Sequence, residues 1–423
     1  MTGRSYDFCG STEPLLGETI GECLDRVAAT YPDNELLVSI PQNLRFTYRE
    51  FVQVVNRAAK AFLNLGIRRG DRVAIWSINN YEWVVSQLAT ARIGAVLVNV
   101  NPSYRTHELE YVLRESRARA LILIDSFKSS NYIDMLYDVC PEVRECEPGH
   151  VESWRFPHLR SVIFIGREQH PGMLTTRAFA ELGDELDDIA LERAEVDLDI
   201  DDVINIQYTS GTTGFPKGVL LTHNNILNNA YSVGEVLQLK PEDRIAIPVP
   251  FYHCFGMVIS NLGAITHGAT IVIPSTSFEP KATLKAVQDE KCTVLHGVPT
   301  RFIAQLEDPD FDEFDLSTLR TGIMAGAPCP IEVMRQVNER MGMQDVLIAY
   351  GQTEASPATT MTRVEDPLEI RVSTVGTVMP HQELKIIDPN TGKTVPRGEI
   401  GEICFRGYMV MAGYDNNPEA TAE

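Results

Sequence analysis

The sequence predicts an α/β protein: two doubly wound, mostly parallel sheets with flanking helices, followed by a small C-terminal β-barrel. Three observations carry that prediction. Strand-like and helix-like segments alternate over 71–124, as parallel strands joined by helical crossovers would. The alternation returns over 293–351. From Arg371 onward it gives way to short strands between Gly and Pro turns, a barrel-like pattern.

Each element has a local reason. Residues 35–46 read as two short strands around Pro41-Gln42-Asn43. Thr47-Tyr48-Arg49-Glu50 has capping-box spacing, and Phe51, Val54, Val55, Ala58, Phe62 and Leu65 then share one helical face that Gly66 closes. Strands follow at 71–76, 95–98 and 120–124, separated by a helix opened by Asn79 and Glu82 and another over 106–114. The stretch 141–202 is rich in Pro, Glu and Asp, lacks periodicity and reads as irregular. Beyond it, a strand at 293–296 leads into a helix from Pro299, and a strand at 321–325 into a helix from Pro330. A strand at 346–349 ends at Tyr350-Gly351, and short strands are expected at 373–378, 383–387 and 401–406. The whole chain, 1–423, is therefore expected to hold a first sheet over 70–205, a second over 20–69 and 206–358, and the barrel-like segment over 359–423.

Composition narrows the function. The 423 residues carry 37 Lys and Arg against 58 Asp and Glu, a net charge of −21. Nucleic acid and anionic membranes need a broad basic footprint, so neither is an expected partner. Small anionic substrates remain compatible, because a few amides, one lysine and a metal reverse the field locally. Eight scattered cysteines with no C-x-x-C spacing read as reduced, mostly buried thiols. Between Arg244 and Glu279 no Asp, Glu, Lys or Arg occurs, yet Pro248, Pro250, Gly263 and Gly268 break the run. It reads as buried backbone lining an uncharged cavity, and no transmembrane segment is predicted. The first thirty residues show neither a signal peptide nor a transit peptide.

The most informative segment is Tyr208-Thr209-Ser210-Gly211-Thr212-Thr213-Gly214-Phe215-Pro216-Lys217-Gly218, which follows the apolar run 203–207. Glycines let backbone amides converge on one point, hydroxyls add donors that follow phosphate oxygens, and Lys217 adds positive charge. It is not a Walker A loop, since Pro216 precedes the lysine and Gly218-Val219-Leu220-Leu221 reads as a returning strand rather than a helix. A hairpin tip gripping a pyrophosphate fits better than a plain polar turn.

These residues resemble the signature of the adenylate-forming superfamily of acyl-CoA synthetases, luciferases and peptide-synthetase adenylation domains. Three more segments agree in order and spacing: Pro250-Phe251-Tyr252-His253-Cys254-Phe255-Gly256, Tyr350-Gly351-Gln352-Thr353-Glu354 and Gly401-Glu402-Ile403-Cys404-Phe405-Arg406-Gly407. The runs from Pro14 to Gly21 and from Val100 to Tyr104 further resemble the medium-chain acyl-CoA ligase branch.

The resemblance implies a carboxylate attacking the α-phosphorus of ATP, giving an acyl-adenylate and pyrophosphate, and then transfer of the acyl group to coenzyme A. Thr209 to Lys217 would hold the outer phosphates. Glu354 would bind Mg²⁺, and Thr353 would donate to the α-phosphate or the acyl carboxylate. Tyr350 would stack on adenine, with Gly326, Ala327 and Pro328 behind it and Gly351 alongside; core packing is the alternative for Tyr350. His253 would gate the acyl tunnel or meet the carboxylate, against the alternative of a satisfied core histidine. Phe251, Tyr252, Val258, Gly297, Val298 and Ile323 would wall an acyl pocket whose apolar character favours an aliphatic tail over an amino acid.

The family's members continue past the position of Glu423 to a Thr-Gly-Asp segment, a hinge and a small domain with a further lysine. The chain ending at Glu423 is therefore expected to be the large N-terminal domain alone, to bind ATP weakly and to have little ligase activity. Two alternatives stay open: adenylation of an aryl or amino acid for a carrier protein, and a non-catalytic nucleotide-binding truncation product. The resembled branch implies the mitochondrial matrix; the cytoplasm is expected instead if the start of the chain, which shows no presequence, is the genuine one. Oligomeric state is not legible.

Overall fold

Period-two burial sorts the strands' side chains between layers. In Arg72–Trp76, Val73 and Ile75 join one apolar cluster while Ala74 and Trp76 join another. That is the signature of a strand covered on both faces. The computed structural model describes residues 3–209 and 216–423, and in them two large sheets share a central layer of helices.

The first sheet has eight strands. Leu174–Thr175, Ser161–Phe164, Ala120–Leu123, Arg72–Trp76, Val96–Asn99 and Val203–Thr209 run parallel, and Lys217–Thr222 and Gly413–Tyr414 close it antiparallel. The second has nine. Glu35–Ser39, Thr270–Ile273, Arg244–Ala246, Val294–Leu295, Thr321–Ala325 and Asp345–Gly351 form its parallel core, and antiparallel strands sit at either edge.

Helices Ile20–Thr30, Tyr48–Asn64, Tyr81–Arg92 and His223–Val236 bury their apolar faces between the sheets. Thr47 and Glu50 form the expected capping box, and Gly66 adopts φ +78°, which only glycine takes without strain. Helices Thr106–Ser116 and Tyr132–Val139 cover the outer face of the first sheet, where Trp76 stacks on Tyr132 with ring centroids 3.6 Å apart. Pro280–Asp289, Pro299–Leu306 and Ile331–Arg340 cover the outer face of the second.

Several expectations need correction. The helix over 81–92 is capped by Asn80, not Asn79, whose amide is engaged elsewhere. The stretch 141–202 is not irregular: it contributes Ser161–Phe164, fully buried, and helices Thr176–Asp184 and Asp188–Glu195. The sheet boundary at 205/206 falls inside Val203–Thr209, and Lys217–Thr222 stays in the first sheet. Residues 368–373 are a helix, so the strand expected at 373–378 shrinks to Thr377–Val378. In place of a closed barrel, the described residues form a three-stranded antiparallel sheet of Tyr6–Cys9, Gln382–Ile387 and Glu402–Gly407. All eight cysteines are free, but only Cys23, Cys140, Cys254 and Cys292 are buried.

The uncharged segment between Arg244 and Glu279 is almost wholly buried. Its centre, Phe255–Leu262, is wound as a π-helix. Amides anchor it: Gln87 donates to the Met257 carbonyl (3.0 Å), and Asn99 donates to the Tyr252 carbonyl (2.9 Å). No helix among the described residues is long and apolar enough to cross a membrane.

Candidate active site

The described residues among those predicted for the site fall into three groups, expected as a phosphate end, a base end and an acyl end. At the phosphate end, Thr209 pairs opposite Lys217 across the antiparallel strands. Ser210, Gly211, Thr212, Thr213, Gly214 and Phe215 lie outside the described residues. The carbonyl of Pro216 accepts a hydrogen bond from the Tyr111 hydroxyl (3.1 Å). Lys217 Nζ stands 5.0 Å from the centre of the Tyr414 ring.

Glu354 lies on the turn Thr353–Ala355, directly after the strand Asp345–Gly351. Its Oε1 accepts a 2.8 Å hydrogen bond from the Tyr414 hydroxyl. Burial and that carboxylate push the phenol up to about 12, so it remains a donor at neutral pH. The segment carrying Tyr414 is tied to the same turn: the Met411 N–H donates to the Glu354 carbonyl (2.9 Å), and Ser356 Oγ donates to the Met409 carbonyl (2.6 Å).

Among the described residues no three His, Cys, Asp or Glu side chains cluster as a metal cage. A lone carboxylate suits Mg²⁺, which keeps waters and takes its remaining ligands from phosphate oxygens. The carboxylate of Glu354 fits that ion and would hold it.

The base end forms at the carboxyl edge of the second sheet, where open α/β sheets bind ligands. Ala325 pairs with Ala349, so Gly326, just past the end of its strand, lies beside Tyr350, which is still in the sheet and paired with Thr360. Tyr350 is 40% exposed, which rules out the core-packing alternative; among the described residues its ring neighbour is Phe405, with centroids 6.4 Å apart. Gly326, Ala327 and Pro328 are exposed beside it. Gly351 is required by crowding: a Cβ there would lie 1.7 Å from the Pro357 carbonyl oxygen.

At the acyl end, Phe251, Val258, Gly297 and Ile323 are buried, while Tyr252 and Val298 are half-buried. The Gly297 N–H donates to the Ile323 carbonyl (3.0 Å), placing both on adjacent strands, and Phe251 packs near Trp83. His253 reaches solvent, so it is not a core histidine. Its Nδ1 accepts from the Phe255 N–H (3.2 Å), which leaves the neutral ring's proton on Nε2. Protein packed round its base holds its pKa below the ordinary value.

Three residues of the site escaped the sequence reading. Cys254, fully buried and pushed up to about 12 by that burial, donates its thiol to Gln207 Oε1 (3.1 Å), which ties the acyl end to the strand Val203–Thr209. His296, fully buried, accepts from the Ile323 N–H (3.1 Å), and its Nε2 has no hydrogen-bond partner among the described residues. Cys254 stands inside the Pro250–Gly256 motif and His296 directly before Gly297, usable signals both; Tyr414 had none beyond its place next to a glycine.

The profile of the AMP-binding enzyme family matches residues 24–415. The Bacillus subtilis (strain 168) protein YngI, named as an acyl-CoA synthetase, is 51% identical over 407 residues, covering 96% of this chain and 74% of its own. The mitochondrial medium-chain acyl-CoA ligase ACSF2 of Danio rerio is 43% identical over 421 residues, covering 99% of this chain and 69% of its own. Among solved structures, the anthranilate CoA ligase AuaEII in complex with anthranoyl-AMP superposes with a TM-score of 0.82 at 26% identity, covering 97% of this chain and 73% of that one.

Proposed function

This chain belongs to the AMP-binding enzyme family, and on that premise we propose that it activates a medium-chain fatty acid to its acyl-adenylate and then to acyl-CoA. The broader class is settled by the relatives: an AMP-forming acid–thiol ligase using ATP, Mg²⁺ and coenzyme A. The choice of an aliphatic acid is carried by one observation, the absence of any Asp, Glu, Lys or Arg from Arg244 to Glu279, where the acyl end is built. An amino acid's ammonium would be stranded there without a counter-charge.

Both reactants are anions, so the residues must offset charge and align the attack. Lys217 neutralises outer phosphate oxygens, and Tyr350 stacks on the base against Gly326. His253 presents its Nε2–H toward the substrate carboxylate. Thr353 donates between the two reactants. Mg²⁺ bound at Glu354 supplies charge neutralisation at the phosphates.

ATP–pyrophosphate exchange with octanoate, benzoate, anthranilate and amino acids tests this. Exchange is expected with octanoate, and exchange with amino acids alone would overturn the proposal. Each CH₂ buried contributes about 0.8 kcal/mol, so two added carbons are expected to lower the KM for the acid about tenfold until the pocket is filled. An aryl acid is the second reading, favoured by the likeness to the anthranilate ligase. A mitochondrial setting follows the Danio rerio relative and a bacterial one follows YngI.

A further inference from the structure

We propose that Tyr414 is the positioning residue of the phosphate end, one side chain that holds the Glu354 carboxylate by its hydroxyl and the Lys217 ammonium by its ring. The inference rests on the ligase reading above and goes beyond it by adding a residue that touches no reacting atom.

The geometry has independent parts. The Tyr414 hydroxyl donates to Glu354 Oε1 at 2.8 Å, which fixes the plane of the carboxylate and so the direction of its second oxygen. Lys217 Nζ lies 5.0 Å from the ring centre, within cation–π range. Tyr414 owes that place to register: it pairs with Val219, so Lys217 is its diagonal neighbour on the same face of the sheet.

The backbone around it is anchored to both partners. The Asp415 N–H donates to the Gly218 carbonyl (2.7 Å), next to Lys217, and the Met411 N–H donates to the Glu354 carbonyl (2.9 Å). The Tyr414 N–H itself is accepted by Thr421 Oγ1 (2.9 Å). Among the described residues Lys217 and Glu354 make no ion pair with each other, and each is held by a different part of the phenol. Each then keeps its charge for the ligand: Lys217 for phosphate oxygens, Glu354 for a divalent cation. Groups that orient a metal-binding carboxylate typically change metal affinity by about 10–100-fold.

The test is binding of a fluorescent ATP analogue to the 423-residue chain, titrated with Mg²⁺ and repeated in chelator. Tyr414→Phe keeps the ring and loses the donor. It is expected to raise the Mg²⁺ concentration for half-maximal binding about tenfold while leaving affinity in chelator within about twofold of the parent. Tyr414→Leu loses both contacts and is expected to weaken binding in chelator as well, about threefold. A purely structural tyrosine would instead shift both affinities together and lower the melting temperature. Unchanged Mg²⁺ dependence in Tyr414→Phe, or an equal shift with and without Mg²⁺, overturns the inference. If Glu354→Gln abolishes Mg²⁺ dependence while Tyr414→Phe does not alter it, the ligase reading stands and this inference falls. If Glu354→Gln behaves like the parent, or the parent shows no Mg²⁺-dependent binding, both fall; should Tyr414→Leu fail to fold, Tyr414→Phe decides alone.

Discussion

The phosphate end and the acyl end of the site are built on opposite principles. Lys217 and Glu354 are half-buried and keep contact with solvent, held by a few directional contacts through Tyr414. Phe251, Val258, Gly297 and His296 are sealed, held by packing and by amides that anchor a π-helix. The difference teaches where function and stability separate. Charged groups that must meet a mobile ligand stay hydrated and add little to folding, because exposed ion pairs contribute only about 0–1 kcal/mol. Apolar walls that only shape a pocket are also the core, so altering them alters the fold.

That contrast gives predictions that could break it. The largest effect is expected from Glu354→Gln, a loss of about 10³ in ATP–pyrophosphate exchange with a melting temperature within about 2 °C of the parent; a large melting shift would show the exposed end to be structural after all. Phe251→Ala is expected to do the reverse, costing about 3–4 kcal/mol in denaturant unfolding because the ring is fully buried. Retained stability there would mean the acyl end is already hollow and tolerant.

A titration sharpens the same line. Burial pushes His296 down to about 3. The unfolded imidazole takes up a proton near pH 6.5 while the folded one stays neutral, so stability is full above that pH and falls as pH drops toward 3. About 2 kcal/mol should be lost between pH 7 and pH 5, and His296→Gln should remove that share of the slope in urea titrations. The smallest effect is expected from Tyr350→Ala: the KM for ATP rises about tenfold, with the KM for the acid unchanged, measured by the same exchange assay.

The legible parts of the molecule were those whose cause is local. Thr47 and Glu50 sit three residues apart and cap their helix as their spacing demands. Ala325, the end of one strand, pairs with Ala349 of the next, both strands reading as apolar runs, which brings Gly326 beside Tyr350. What escaped depends on distant partners. Asn79 and Asn80 are equivalent as caps in sequence, and only the fold decides. Asn79 donates to the Val249 carbonyl (2.9 Å) and accepts from the Phe251 N–H (2.9 Å), leaving Asn80 to cap. Ser161–Phe164 is four residues long, too short for a period to show, and it is a strand because Ala120–Leu123 lies beside it. Tyr414 faces Lys217 through a sheet register that no spacing in the sequence encodes.

The antiparallel closure of the first sheet by Gly413–Tyr414 has a consequence for biogenesis. Lys217 and Glu354 leave the ribosome long before the tyrosine that spans them, and the closing pair joins segments nearly two hundred positions apart. Contacts of such separation form slowly, because a long loop must be ordered before they repay it. Nascent protein is therefore expected to pass through a stage with its cores assembled and Tyr414 not yet between Lys217 and Glu354, an arrangement completed only when Gly413–Tyr414 docks.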